Sequence, residues 1–176
     1  HPSLRHVQTY PISVIDTHFS PLTSHLSPLT KFMTEHRLTL RKPEKLRHKR
    51  LVGDLFSEGN SLYDFPLRLV WRLIDEETLR GSFRADLPRQ LGNVQMLITV
   101  PKKKRRHAVD RVLMRRRIRE AYRLNRLPLK EAVDRIPDAG TLSLAFIYLS
   151  DQNLPYATID KKMRKLLSRL TDLIRS

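Results

Sequence analysis

The chain has no cysteine. Disulfides and thiolate zinc sites are therefore excluded, and nothing points to an oxidising compartment. No apolar run approaches the ~20 residues needed to span a bilayer. The first residues lack the basic-then-apolar pattern of a signal peptide, so a cytoplasmic protein is the expectation. Acidic residues are also in short supply. Against 34 lysines and arginines stand 18 aspartates and glutamates, a formal net charge of +16 over 176 residues. Such a field draws in polyanions at long range without specifying a fold. The hydrophobic fraction of 40% is ordinary, and the length suits one domain with a real core plus a tail.

The excess charge is concentrated in Pro101–Leu127, PKKKRRHAVDRVLMRRRIREAYRLNRL. Only Asp110 and Glu120 oppose its many cations, and no Gly or Pro follows Pro101, so a helix is predicted from about Ala108 onward. At 3.6 residues per turn, Arg115, Arg116, Arg119, Arg123 and Arg126 share a sector roughly 100° wide. Met114, Ile118, Ala121 and Tyr122 fill a neighbouring sector and give an apolar stripe to dock. Like charges at i,i+4 repel, so an external partner is expected to offset the row, and phosphates fit guanidinium geometry.

His1 to about residue 36 is rich in Ser, Thr, Pro and His without a helical or strand period, and reads as a flexible extension of the domain spanning 37–176. Its histidines match no metal spacing and read as solvated. A helix is expected from Pro43 to Glu58, with Leu51, Val52, Leu55 and Phe56 on one face and Gly59 as the stop. Ser61–Ile74 reads as strand broken at Pro66. Within it Leu67, Leu69, Trp71 and Leu73 alternate with Arg68, Val70, Arg72 and Ile74. Asp75–Asn93 reads as a connection with a helical turn. Val94–Val100 and Thr141–Leu149 read as strands, the latter central because both faces are apolar. A short amphipathic segment lies between Pro128 and Pro137, a turn is expected at Gly140, and a last helix runs from Pro155 to about Ile174. The order of elements predicts an α+β chain, a two-layer α/β sandwich of helices on a small mixed sheet.

The pattern T-V-x-K-K-x-x-R-x-A-x-x-R, then basic residues and R-E-x-x-R, resembles the protein subunit of bacterial ribonuclease P. Its pieces are Thr99, Val100, Lys102, Lys103, Arg106, Ala108 and Arg111, then Arg115, Arg116, Arg119, Glu120 and Arg123. A lead-in of Leu46, Arg47, Lys49, Phe56 and Gly59 extends the likeness, which covers roughly Arg37 to Arg175. The chain departs from the family's usual Arg-Asn-Arg-Ile-Lys-Arg block. It reads Arg111-Val112-Leu113-Met114-Arg115-Arg116, so roles of the second and third positions do not carry over.

The resemblance implies an arginine-rich crossover helix on a small mixed sheet, as in a ribosomal-protein-like domain, with a left-handed crossover. It implies a protein without catalytic residues of its own, bound one to one to a large catalytic RNA that removes the 5′ leader of precursor tRNA. Mg²⁺ held mainly by that RNA would serve the hydrolysis, with no metal site assigned on the protein and no obligate protein partner. Lys102, Lys103, Arg106, Arg111, Arg115, Arg116, Arg119 and Arg123 would bind the catalytic RNA. Phe56 and Trp71, with Arg68 and Arg72, would bind the leader. Three other readings stand beside this one: another basic RNA-binding protein such as a ribosomal protein or RNA chaperone, an enzyme built on His107, and a membrane-surface helix. His107 lacks partners for a triad, and the strands argue against a membrane-surface peptide.

Overall fold

The computed structural model describes residues 38–83 and 91–176, and residues 39–176 form one compact unit. The reading of the N-terminal extension and its histidines lies outside the described residues. The chain enters by a single 3-10 turn, Lys42–Glu44, and Lys45 then bridges Met96 at a sheet edge. Helix α1 spans Lys49–Glu58, and strands β1 (Asn60–Asp64) and β2 (Leu67–Asp75) form a hairpin around Phe65-Pro66. Helix α2 (Glu76–Phe83), strand β3 (Val94–Thr99) and helix α3 (Ala108–Asn125) follow. Helix α4 (Leu127–Asp134), strand β4 (Ala139–Tyr148) and helix α5 (Tyr156–Arg175) complete the fold.

The sheet order is β1-β2-β4-β3. β2 pairs antiparallel with β1 and β4, whereas β3 runs parallel to β4, so the segment carrying α3 and α4 is the crossover between two adjacent parallel strands. β4 is central, and Thr141–Phe146 are buried without alternation, as strands covered on both faces require. One sheet face carries Leu67, Leu69, Leu142, Leu144, Phe146 and Met96. It packs against Met114, Ile118 and Tyr122 of α3, Leu129 of α4 and Met163, Leu166 and Leu170 of α5. Each such Leu withdrawn from water contributes about 1.5–3 kcal/mol. The other face buries Val70, Ile74 and Ala145 beneath Leu51 and Leu55 of α1 and Leu79 of α2. The α+β class and the mixed sheet agree with the sequence reading, and α1 and α2 add partial cover to the second face.

Three local expectations shift. α1 starts at Lys49 rather than Pro43, because the preceding residues are pulled into tertiary contacts. Leu46 is buried and its N–H donates to the Met96 carbonyl at 2.9 Å, while Glu44 turns inward to Arg126 and Lys130 at 3.0 Å each. The connection after β2 holds a full helix, α2, whose start is capped by Asp75 accepting from the Thr78 N–H at 2.9 Å. The turn before β4 is made by Asp138 (φ 60°), and Gly140 lies inside the strand. A Cβ there would sit 2.8 Å from the Ile74 and Asp75 carbonyl oxygens, so the close approach of β2 is what needs glycine.

Candidate nucleic-acid interface

Helix α3 docks as its periodicity predicts, with Met114, Ile118, Ala121 and Tyr122 buried. Its cations then divide into two groups. In the first, the guanidinium groups tie the fold together. Arg105 pairs with Asp110 at 2.9 Å and donates to the Asp151 carbonyl. Asp110 also accepts from Asn153 at 2.7 Å. That hydrogen bond and Arg105 hold the Asp110 pKa below its ordinary value, against a smaller opposing effect of burial. Arg111 donates to the carbonyls of Arg105 and Arg106 at 3.0 and 2.6 Å. Arg117 donates to the Leu154 carbonyl at 2.5 Å, joining α3 to the start of α5. Arg126, at the α3–α4 junction, is buried against Glu44. Burial disfavours charge on Glu44, but the Arg41 N–H at 2.8 Å, Lys130 and Arg126 hold its pKa below 4.5.

The second group faces solvent. Lys102, Lys103, Lys104 and Arg106 are exposed on the loop that Arg105 and Arg111 fix in place. Arg116 and Arg119 are exposed on α3, and Arg115 is half-buried beside them. Arg123 is held by Glu120 at 2.5 Å. Of the residues expected to bind RNA, Arg111 is thus occupied by loop carbonyls, while Lys102, Lys103, Arg106, Arg116 and Arg119 display their charge to solvent. Lys104 joins them. Between the loop and Arg116, the outer surface of α3 is aliphatic, with Val109 79% and Val112 38% exposed.

A second feature lies on the sheet face beneath α1. Tyr63 pairs with Arg68, Arg68 with Ile147, and Ile147 with Thr99, so these four form one row across the strands. The next row inward is Ser61, Val70, Ala145 and Leu97. Leu51 and Leu55 of α1 cover Val70 and Ala145, leaving the outer row half-buried or exposed. Asp54 of α1 takes Arg72 at 2.8 Å on the covered side. Phe56 stands about 200° around the helix from Asp54, away from the Arg72 side, and is 49% exposed. The strip of sheet between α1 and this row, with Arg68 on it, is the candidate groove for a single strand.

The four residues expected to grip a leader do not all meet there. Arg68 lies on the open row, against Tyr63 and Ser61, and Phe56 is exposed on α1. Arg72 lies under α1, engaged by Asp54 and, at 3.9 Å, Glu58. Trp71 alternates to the opposite face and packs against the main core, so it cannot line the groove with Phe56. Strand alternation already put Trp71 and Arg68 on opposite faces; proximity in sequence was the wrong guide. Tyr63 was missed, although β-hairpin pairing around Pro66 sets it opposite Arg68. Among the described residues no group of three or more His, Cys, Asp or Glu side chains could hold a metal ion, and no helix is long and apolar enough to cross a membrane.

Comparison with known proteins matches residues 40–171 to the family model described as Ribonuclease P. The chain belongs to the ribonuclease P protein family. The ribonuclease P protein component of Porphyromonas gingivalis is 33% identical over 131 residues, 74% of this chain and 85% of that protein. The component of Chlorobium phaeobacteroides is 32% identical over 114 residues, 65% of this chain and 69% of that protein. In fold, the chain is similar to a Staphylococcus aureus RNase P protein variant described as defective in mRNA degradation. The TM-score is 0.51 at 12% identity, covering 82% of this chain and 97% of that one. The solvated cations of the basic loop and α3 therefore belong to the protein subunit of ribonuclease P, an RNA-processing endoribonuclease that works with the ribonuclease P RNA. Family membership favours the ribonuclease P reading over a ribosomal protein or RNA chaperone.

Proposed function

We propose that this chain is the accessory subunit of the ribozyme, with two RNA-facing surfaces and no acid, base or nucleophile of its own. Lys102, Lys103, Arg106, Arg115, Arg116, Arg119 and Arg123 neutralise phosphates of the catalytic RNA in a 1:1 complex. The groove between α1 and the open sheet row takes the single-stranded 5′ leader of precursor tRNA, with Phe56 stacking and Arg68 supplying charge. Mg²⁺ bound by RNA phosphates would activate water for the phosphodiester cleavage. The protein's part is to position the leader and to lower the repulsion between two RNAs. The observation that carries this reading is the division of the cations. Arg105, Arg111, Arg117 and Arg126 are engaged by carbonyls and carboxylates of the fold, whereas Lys102, Lys103, Arg106, Arg116 and Arg119 stand solvated on the basic loop and α3. The setting is the cytoplasm, where tRNA precursors are made.

The test is reconstitution with the cognate ribonuclease P RNA. Leader release should require the RNA, and the protein should lower the salt and Mg²⁺ needed and tighten precursor over mature tRNA. Cleavage by the protein alone, or an equal effect on precursor and mature tRNA, would overturn the reading.

A further inference from the structure

The open row does not end in the groove. Thr99 leads into Pro101 and the basic loop at one edge of the sheet, and Tyr63 lies at the other edge, three inter-strand gaps or about 14 Å away. Tyr63 is 58% exposed and Phe65, at the hairpin turn, 61%. The Tyr63 side of the turn is anchored. The Arg68 guanidinium carbon lies 5.3 Å from the Tyr63 ring centroid, and Ser61 Oγ fixes that guanidinium by accepting from Nε and Nη2 at 3.3 and 3.1 Å. From behind, Arg169 Nη1 donates to the Tyr63 carbonyl at 3.0 Å. Lys162 and Lys165 lie 2.9 and 3.7 Å from the Asp64 carboxylate. Burial opposes charge on Asp64, but Lys162 and its neighbours hold its pKa below the ordinary value, so the acid beside the hairpin turn is neutralised by cations. The hairpin thus presents two rings on a rigid, positively charged edge, with one face of Tyr63 backed by a cation and much of the ring open.

Exposed rings in such a field suit the bases of a single strand, which offer π-faces and a phosphate on each residue. We propose that Tyr63 and Phe65 form a stacking site for unpaired nucleotides of the precursor's leader, beyond those held at Phe56. This rests on the leader reading of the groove. The basic loop and α3 face the catalytic RNA, so the Tyr63 edge is the end of the row farther from the cleavage site and receives the more distal nucleotides.

The experiment uses the reconstituted holoenzyme with precursor tRNAs whose leaders are shortened one nucleotide at a time, and with mature tRNA. Tyr63→Leu with Phe65→Leu keeps apolar bulk and removes the π-faces, and the positions are exposed enough to leave the thermal midpoint unchanged. Affinity should fall roughly 5- to 100-fold for long leaders only, so that the gain from added nucleotides stops earlier than in the unaltered enzyme. Tyr63→Phe should restore it. Phe56→Ala should weaken every leader length. If Phe56→Ala acts and the leucine variant matches the unaltered enzyme throughout, the hairpin site is refuted alone. If neither variant discriminates precursor from mature tRNA, the leader reading fails with it. Equal losses with long leaders, short leaders and mature tRNA would place the hairpin on the catalytic RNA, and unchanged binding with loss of a protein partner would make it a protein-docking surface; both overturn the proposal.

Discussion

Replacing Arg116 and Arg119 together by alanine separates phosphate binding from folding. Both side chains are exposed and make no ion pair or hydrogen bond with other described residues. If each contacts one phosphate, the slope of log affinity against log salt should fall by about 0.7–0.9 per contact, or about 1.4–1.8 for the pair. Taking the ionic contribution as vanishing near 1 M, that slope change amounts to a roughly 15- to 30-fold weaker complex at about 0.15 M salt. This corresponds to about 1.6–2 kcal/mol. Near 1 M salt the variant and the unaltered protein should bind alike. The thermal midpoint should hold or rise slightly, since the change relieves repulsion along the helix. Filter binding or fluorescence anisotropy with the ribonuclease P RNA at several salt concentrations measures the slope, and scanning calorimetry the midpoint. An unchanged slope would show that these arginines do not meet phosphates. A drop of many degrees in the midpoint would show that they hold the fold.

Arg126→Met on the same stretch should behave in the opposite way. It leaves Glu44 buried with Lys130 and the Arg41 N–H but without its guanidinium, costing about 3–5 kcal/mol by chemical denaturation, and Glu44→Gln in the same chain should recover part of the loss. Acid should unfold the protein through the same cluster. The Glu44 pKa is lowered from 4.5, so its contribution is complete above that value and disappears as pH falls through the lower folded-state pKa; stability measured from pH 6 to 2 should show the decline, and Glu44→Gln should flatten it. Phe56→Ala should weaken precursor tRNA by about 1–3 kcal/mol and leave mature tRNA unchanged, with much less loss of stability than the ~3–5 kcal/mol of a core Phe, because the ring is half exposed. Gly140→Ala drives a Cβ against two β2 carbonyls and should cost about 1–3 kcal/mol in denaturant titration without changing the salt slope.

Periodicity made the large elements legible. The apolar stripe of α3, the doubly buried β4 and the long face of α5 are recorded in the spacing of their side chains, and the structure follows them to within a residue or two. Where the reading slipped, a distant partner had overridden the local signal. Pro43 and Glu44 look like a helix start, with proline and an acid in place, but Glu44 is drawn to Arg126, 82 positions away, and Leu46 to the edge of β3. Helix α2 was within reach, since Asp75 followed by Thr78 is a capping arrangement; the glycine and polar residues around it obscured the signal.

The division among the arginines was beyond the sequence for a different reason. Arg111, Arg117, Arg119 and Arg126 carry the same group on one helix and its end, and helical angle alone cannot say which will meet a carbonyl. What decides it lies elsewhere in the chain: the loop carbonyls of Arg105 and Arg106, the Leu154 carbonyl before α5, and the buried carboxylate of Glu44. Each supplies an acceptor at a place where a cation would otherwise be desolvated at a cost. Arg119 finds none and stays in water. Substituting a dense basic helix residue by residue therefore probes two kinds of energy at once. A loss of RNA affinity at Arg111 would reflect a loosened loop and misplaced Lys102, Lys103 and Arg106 as much as a missing phosphate contact. The two are separable by salt: a lost phosphate contact lowers the slope by one increment, whereas a loosened loop lowers it by several while stability also falls.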